Sequence, residues 1–188
     1  MTPSPLLIAL FIAWIGGEVW ISRRLRSDDR GEAHDCGSLF VLLLVGYTSL
    51  AVGIAVSFLD TGRFSTFAVP LSSLGLAVMA GGIALRWWSI VTLRHFFTVH
   101  VAIHPDHQLI RSGPYRLLRH PSYTGALVTS VGFAFALDNA WSLLAMLLPM
   151  TLALLWRIRI EERVLAQAFP DTYPAYARST KRLVPFIW

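Results

Sequence analysis

The chain has 188 residues, of which 55% are hydrophobic and 14% are charged, and its mean hydropathy is +0.57. This length allows one domain, and the composition excludes an ordinary soluble globular protein. The net charge of +5 comes mainly from arginines at the ends of apolar segments, which favours orientation in a membrane over nucleic-acid binding.

Apolar stretches in chain order predict about five transmembrane helices. They cover residues 5–21, 39–59, 70 to about 91, 122–137 and 140–156. The first is expected to be a retained span, because it lacks the basic start and the small-residue cleavage pattern of a signal peptide. Only Asp138 and Asn139 separate the last two, which predicts a tight antiparallel hairpin. We therefore expect an all-α, polytopic membrane protein with one domain, residues 1–188.

The distribution of basic residues predicts the orientation in the membrane. Arg23, Arg24, Arg26 and Arg30 follow the first helix, whereas only Arg63 lies between the second and third. The connection between the third and fourth helices and the C-terminal tail are again rich in arginine, and the last hairpin turn has none. This pattern predicts an N-terminus outside and a cytoplasmic C-terminus.

One polar constellation precedes the fourth helix. It runs Gly113-Pro114-Tyr115-Arg116-Leu117-Leu118-Arg119-His120-Pro121-Ser122-Tyr123-Thr124-Gly125. Pro121 suits the first turn of a helix, and the N–H groups of such a helix end can hold a carboxylate, with Arg119 and His120 as further donors. Alternatively, Arg116, Arg119 and Tyr123 only anchor the chain at the membrane interface.

A second constellation, Arg157 to Arg163, follows the fifth helix without a helix breaker, so that helix is expected to continue into the cytoplasm. Arg157 and Glu161 then lie on one helix face. A plain salt bridge is one interpretation of this pair, because such pairs are common and weak. A guanidinium at the membrane edge is costly, however, which favours a partner or a function for Arg157.

We predict no metal site. His95, His100, His104 and His107 are close in sequence, but Pro105 argues against a continuous helix that would align them. Cys36 is the only cysteine, which excludes a thiolate-rich site and an intramolecular disulfide.

Two further features are expected at the membrane interface. Glu18, near the end of the first helix and after Gly16 and Gly17, is either a buried carboxylate at a close helix contact or reaches toward the following loop, and we expect the second. The tail after Tyr173 and Tyr176 is rich in aromatic residues and is expected to fold back onto the interface.

The two constellations together resemble the isoprenylcysteine carboxyl methyltransferase family, part of a wider set of membrane methyltransferases that includes phospholipid N-methyltransferases. The resemblance covers roughly residues 96–188. Its elements are Gly113-Pro114-Tyr115, Arg119-His120-Pro121-Ser122-Tyr123 with Gly125, Arg157 before Glu161-Glu162, and Phe169 followed by Tyr173, Tyr176 and residues 183–187. Two positions depart from the family pattern: Pro170 stands where glycine is often found, and His100 where glutamine is common. No Gly-x-Gly pattern occurs, which excludes a soluble Rossmann-type methyltransferase.

The resemblance implies S-adenosyl-L-methionine as methyl donor, S-adenosyl-L-homocysteine as product, and a lipidic or prenylated-cysteine acceptor. It implies a cytoplasmic pocket in residues 93–188, formed by the connection between the third and fourth helices and the tail, with residues 1–92 supplying the first three helices. The cofactor-binding residues that it implies are His100, His107, Gln108, Leu109, Ile110, Gly113, Tyr115, Arg119, His120, Pro121, Ser122, Tyr123 and Glu161. The expected catalytic set is Arg157, Glu161 and Glu162, with Arg157 facing the acceptor carboxylate.

Two other functions remain compatible with the hydropathy pattern. A membrane NADPH-dependent reductase of the sterol type has a related architecture, but the short chain and the Arg157-Glu161-Glu162 pattern disfavour it. The hypothesis of a non-enzymatic membrane scaffold rests on hydropathy alone. The oligomeric state is open, because Gly75, Gly81 and Gly82 can pack within a chain or between chains.

Overall fold

A computed structural model describes residues 4–24, 32–33, 37–64, 68–93, 96, 102–103 and 109–187. The helices in these parts are α1 (Pro5–Arg24), α2 (Ser38–Ser57), α3 (Ala68–Leu93), a 3-10 helix (Gly113–Arg116), α4 (Pro121–Ala136), α5 (Ala140–Ala168) and α6 (Tyr173–Ser179). Two-residue strands β1 (Glu32–Ala33) and β2 (Ala102–Ile103) pair in antiparallel fashion. The predicted all-α fold is confirmed. The short ladder and α6 were not predicted.

Within the described residues, three helical segments are long and apolar enough to cross a membrane: Ser38–Ser57, Leu71–Leu93 and Ala140–Ala168. The helix over Pro5–Ile21 is apolar but shorter, and α4 has only 16 residues. At 29 residues, α5 is about 44 Å long, which exceeds a hydrocarbon core of about 30 Å. The predicted extension of α5 beyond its apolar part is therefore confirmed, whereas the count of five spans stays a prediction.

Glycines bring α3 and α4 into close contact. A Cβ added at Gly75 would lie 2.6 Å from the backbone N of Ala136, and one added at Gly125 would lie 2.7 Å from the backbone N of Arg86. Only glycine permits such backbone proximity between helices. Gly81, in contrast, has nothing within 4 Å of an added Cβ. Gly75 therefore packs within the chain, and so does Gly82, where an added Cβ would meet Gly125 O at 2.8 Å.

The predicted hairpin between α4 and α5 is confirmed. Asn139 caps α5 by accepting a 3.0 Å hydrogen bond from Ser142 N, and its amide nitrogen donates to Thr61 O at 3.1 Å. Ser142 Oγ donates to Gly53 O on α2 at 2.7 Å. These bonds satisfy the polar groups of the turn and hold α5 against α2.

Candidate functional site

A cavity of about 300 Å³ lies between α1, α2, α4 and α5, with α6 and residues 109–120 at one end. Its polar lining consists of Glu18, Tyr47, Ser49, Arg86, Tyr115, Arg119, His120, Ser122, Tyr123, Ser130, Arg157, Glu161, Tyr173 and Tyr176. Its apolar lining includes Trp14, Ile15, Leu39, Leu42, Leu43, Leu50, Met146, Met150 and Leu154. The cavity is thus amphipathic, with most of its charged groups where α5 extends beyond its apolar part.

Arg157 is the central cation of the site and is only 2% exposed. Its Nε donates to Tyr123 Oη at 2.8 Å and to Glu161 Oε1 at 3.1 Å, and its Nη1 donates to Ser38 Oγ at 3.0 Å. The hydroxyl of Tyr123 in turn donates to Glu161. Because α2, α4 and α5 each contribute a partner, the orientation of the guanidinium is set by three helices.

His120 links the two predicted constellations. Its Nδ1 lies 3.3 Å from Glu161 Oε2, and its ring stacks on that of Tyr123 at 5.7 Å between centroids. Burial by itself lowers the pKa of His120, but the hydrogen bonds and charges of Glu161 and Glu162 outweigh it and hold this pKa above its ordinary value. The expected convergence of the segment before α4 with the charged extension of α5 is therefore present in the structure.

Glu162 faces away from the cavity lining and binds cations from two segments. Its Oε1 lies 2.8 Å from Arg119 Nε, and its Oε2 lies 2.8 Å from Arg182 Nη2. Arg119 also donates through Nη1 to the carbonyl oxygens of Ala177 and Thr180. Glu162 and Arg119 therefore tie α5, the segment before α4 and the tail together.

The tail folds back onto the segment before α4. Arg119 N donates to Lys181 O at 2.7 Å, and Lys181 N donates to Leu117 O at 3.0 Å. The hydroxyl of Tyr176 donates to Tyr115 O at 2.9 Å, and burial raises the pKa of Tyr176 to about 12. The tail thus packs on the backbone around the 3-10 helix, and its predicted place at the membrane interface stays a prediction.

A second, partly buried ion pair lies in the apolar part of the protein. Arg86 on α3 donates from Nε and Nη2 to the carboxylate of Glu18 on α1, and its Nη1 donates to Ser122 Oγ at 2.9 Å. The favoured expectation that Glu18 reaches toward the following loop was wrong, and the alternative of a carboxylate at a helix contact holds, because a partly buried guanidinium offers a stronger partner than the interface. Arg86 was missed, although a lone arginine in an apolar helix is a usable signal.

The model of the isoprenylcysteine carboxyl methyltransferase (ICMT) family matches residues 73–167, half of the chain. The chain belongs to this family. A relative in Oryza sativa subsp. indica, named probable protein-S-isoprenylcysteine O-methyltransferase, is 37% identical over 119 residues, which are 62% of this chain and 62% of the relative. Protein-S-isoprenylcysteine O-methyltransferase B of Arabidopsis thaliana is 35% identical over 62% of this chain and 60% of its own length. The matches do not favour the reductase or the scaffold.

A solved structure of an ICMT-family protein has a related fold. The eukaryotic intramembrane Ras methyltransferase ICMT superposes with a TM-score of 0.63 at 29% identity, over 77% of this chain and 52% of that one. Together with the apolar helices, this similarity identifies the present chain as an integral membrane protein. The chain spans under two thirds of the length of the curated ICMT-family relatives above.

The residues that the ICMT-family resemblance implies fall into three groups. Those lining the cavity are Leu109, Ile110, Tyr115, Arg119, His120, Ser122, Tyr123, Arg157 and Glu161. Those outside its lining are Gly113, Pro121 and Glu162, of which Pro121 begins α4 and Gly113 adopts a positive φ of 57°. His100, His107 and Gln108 lie outside the described residues, as do His95 and His104. Sequence reasoning missed Ser38 and the cavity-facing position of Tyr173.

Proposed function

We propose that this chain is an S-adenosyl-L-methionine-dependent methyltransferase that esterifies the carboxylate of a lipidic or prenylcysteine-like acceptor. The observation that carries this proposal is an amphipathic cavity in which Arg157 and Glu161 adjoin an apolar region between α1, α2 and α5. Its volume of about 300 Å³ is at the lower end of the range of small-molecule sites. Membership of the ICMT family and the names of the relatives support the same reaction.

The residues around His120 fit the methyl donor. Within the described parts of the chain, His120 Nε2 is buried and makes no hydrogen bond, and Arg119, whose Nε lies 2.8 Å from Glu162 Oε1, is next to it in sequence. Buried polar atoms are nearly always satisfied, so His120 Nε2 is a candidate for a ligand contact. We assign the donor to Leu109, Ile110, Tyr115 and Ser122 together with these residues, and its ammonium group to Glu161. His100, His107, Gln108, Gly113 and Pro121 remain proposed members of the same site.

Arg157 is suited to hold the acceptor carboxylate. A guanidinium with a fixed plane binds a carboxylate through two parallel hydrogen bonds, and the partners of Arg157 fix its plane. A sulfonium donor supplies a methyl group, so that an acceptor oxygen forms the new C–O bond as the S–CH₃ bond breaks and its electron pair stays on sulfur. The acceptor is already ionised at neutral pH, so the chain needs no general base. Its contribution is to position both groups and exclude water.

Glu162, predicted as a catalytic residue, is proposed to act by positioning. It lies outside the cavity lining and binds Arg119 and Arg182. Its Oε1 lies 3.5 Å from His120 Nε2 and places a negative charge beside the imidazole ring. Glu162 therefore orients the side chains that contact the donor.

The distribution of arginines supports a cytoplasmic site, with the N-terminus outside and the C-terminus inside. A polar donor would then enter from the cytoplasm, and a lipid-tailed acceptor would enter from the bilayer. No nucleic acid partner is proposed, because the arginines near the site contact carboxylates and backbone carbonyls of the protein itself.

Transfer of an isotope-labelled methyl group from the donor tests the function. Detergent-purified protein is incubated with lipid extracts and with a farnesylcysteine analogue, and the matched control is the same analogue with its carboxylate replaced by a carboxamide. We expect base-labile label in the carboxylate compound and none in the carboxamide. Absence of label from every acceptor, together with no heat of binding for S-adenosyl-L-homocysteine, would contradict the proposal.

A further inference from the structure

Tyr173 is a buried side chain whose polar atom has no role within the described protein. It begins α6, is 5% exposed and lines the cavity. Its hydroxyl is buried and has no hydrogen-bond partner among the described residues. Leaving such a group unsatisfied costs free energy, which a bound ligand would recover.

Tyr176, one turn further along α6, shows what a structural tyrosine does at this place. Its hydroxyl donates to Tyr115 O at 2.9 Å and lies 3.4 Å from Leu118 O. The two tyrosine rings pack edge to face with centroids 6.3 Å apart. Ring packing therefore explains why Tyr173 is aromatic, but it does not explain the hydroxyl.

The surroundings of the Tyr173 hydroxyl favour an anion. Arg119 and Arg182 act on it together with Glu162, and this one carboxylate binds both guanidinium groups, each at 2.8 Å. His120 Nε2, which lines the same cavity, is likewise buried without a hydrogen bond among the described residues and lies 3.5 Å from Glu162 Oε1. A tyrosine hydroxyl is neutral at physiological pH and can donate, so it lies as a donor beside two cations that share a single carboxylate.

We propose that the Tyr173 hydroxyl donates a hydrogen bond to the carboxylate of the methyl donor's amino-acid portion, beside Arg119. This inference rests on the proposed function and adds α6 to the donor site. The two charges of the donor's amino-acid portion then bind at different places: the ammonium group lies toward Glu161, and the carboxylate lies toward Tyr173 and Arg119. The hydroxyl, which has no partner among the described residues, is then a preformed binding group.

The substitution Tyr173→Phe removes the hydroxyl and keeps the ring. We expect calorimetry to show S-adenosyl-L-homocysteine binding weakened about tenfold or more, as for a lost hydrogen bond to a charged group. The thermal unfolding midpoint of the ligand-free protein should stay unchanged or rise, because the hydroxyl makes no hydrogen bond to the described residues. The matched control is Tyr176→Phe, which loses a bond within the protein and should lower that midpoint.

A second ligand tests which part of the donor is contacted. The analogue of S-adenosyl-L-homocysteine that lacks only its carboxylate should bind Tyr173→Phe and the unsubstituted protein equally. An equal loss for both ligands would place the hydroxyl elsewhere on the donor and overturn the inference. If the unsubstituted protein binds S-adenosyl-L-homocysteine and Tyr173→Phe binds it as tightly, the inference fails while the proposed function stands. If the unsubstituted protein does not bind it, both fail.

Discussion

Arg157 on α5 donates a 2.8 Å hydrogen bond from Nε to the hydroxyl oxygen of Tyr123 on α4. The same hydroxyl donates to Glu161, so the tyrosine connects the proposed acceptor-binding cation to the proposed donor-binding carboxylate. Such a chain fixes the relative position of two reacting groups, and positioning is what a methyl transfer without a general base requires of the protein.

Replacement of Arg157 by lysine is expected to impair acceptor use. Lysine keeps the charge but cannot hold Tyr123 and a carboxylate with one planar group. We expect kcat/KM for the acceptor to fall about 10- to 100-fold, or roughly 1.5–3 kcal/mol. Arg159→Lys, an exposed position on the same helix, is the matched control and should leave kcat/KM unchanged. Equal losses in both variants would refute the role of Arg157.

The stability of the ligand-free protein is expected to fall at alkaline pH because of His120. Its pKa is raised in the folded state, so its ion pairs with Glu161 and Glu162 contribute fully below the unfolded-state pKa of about 6.5. The contribution is lost as the pH rises through the folded-state pKa. Arg119 and Arg182, which also face Glu162, keep their charge over this range.

Thermal unfolding between pH 6 and 9 measures this dependence. The difference in unfolding midpoint between the unsubstituted protein and His120→Gln should be largest at the acidic end and should shrink as the pH rises. A difference that is constant over this range, or that grows with pH, would show that His120 is not a protonated partner of the two carboxylates.

Loss of the negative charge of Glu18 is expected to destabilise the protein strongly. Glu18→Gln leaves the partly buried Arg86 guanidinium without its counter-ion among α1, α3 and α4; breaking a fully buried pair costs about 3–5 kcal/mol, and we expect a smaller loss here because Glu18 is partly exposed. Asp60→Asn is the control, because Asp60 is fully exposed in its 3.4 Å ion pair with Arg63. Chemical unfolding in detergent should show a clear loss for Glu18→Gln and none for Asp60→Asn; similar curves would argue against the Glu18–Arg86 ion pair.

Two neighbouring glycines allow a test of the α3–α4 contact. A Cβ at Gly82 would lie 2.6 Å from Thr129 Oγ1 and 2.8 Å from Gly125 O, whereas one at Gly81 meets nothing within 4 Å. Gly82→Ala should lower the free energy of unfolding by about 1–3 kcal/mol through overpacking. Gly81→Ala should be neutral or stabilise by up to about 1 kcal/mol, because alanine favours helix. If Gly82→Ala unfolds at the same temperature as Gly81→Ala, the helices do not pack as described.

Local sequence patterns predicted most of the long helices and the pairing of Arg157 with Glu161 in the central site. Hydropathy predicted the helices near residues 5–21, 39–59 and 70–91, since burial of an apolar run depends mainly on that run's own composition. The pairing of Arg157 with Glu161 was predictable because helix geometry alone places residues four apart on one face. His120 was predicted as a donor from its place before the fourth helix, whereas Tyr123 was predicted as a cofactor residue only from a family resemblance.

The tertiary structure alone decided which distant groups meet. Glu18 and Arg86 are 68 residues apart, and sequence reasoning assigned Glu18 to the interface because no local pattern names its partner. Likewise, Tyr173 was expected in a returning tail, yet only the docking of Lys181 against Leu117 and Arg119 brings α6 to the cavity. Helix formation depends on neighbours in sequence, whereas the pairing of buried charges and the closure of a cavity depend on which helices pack together.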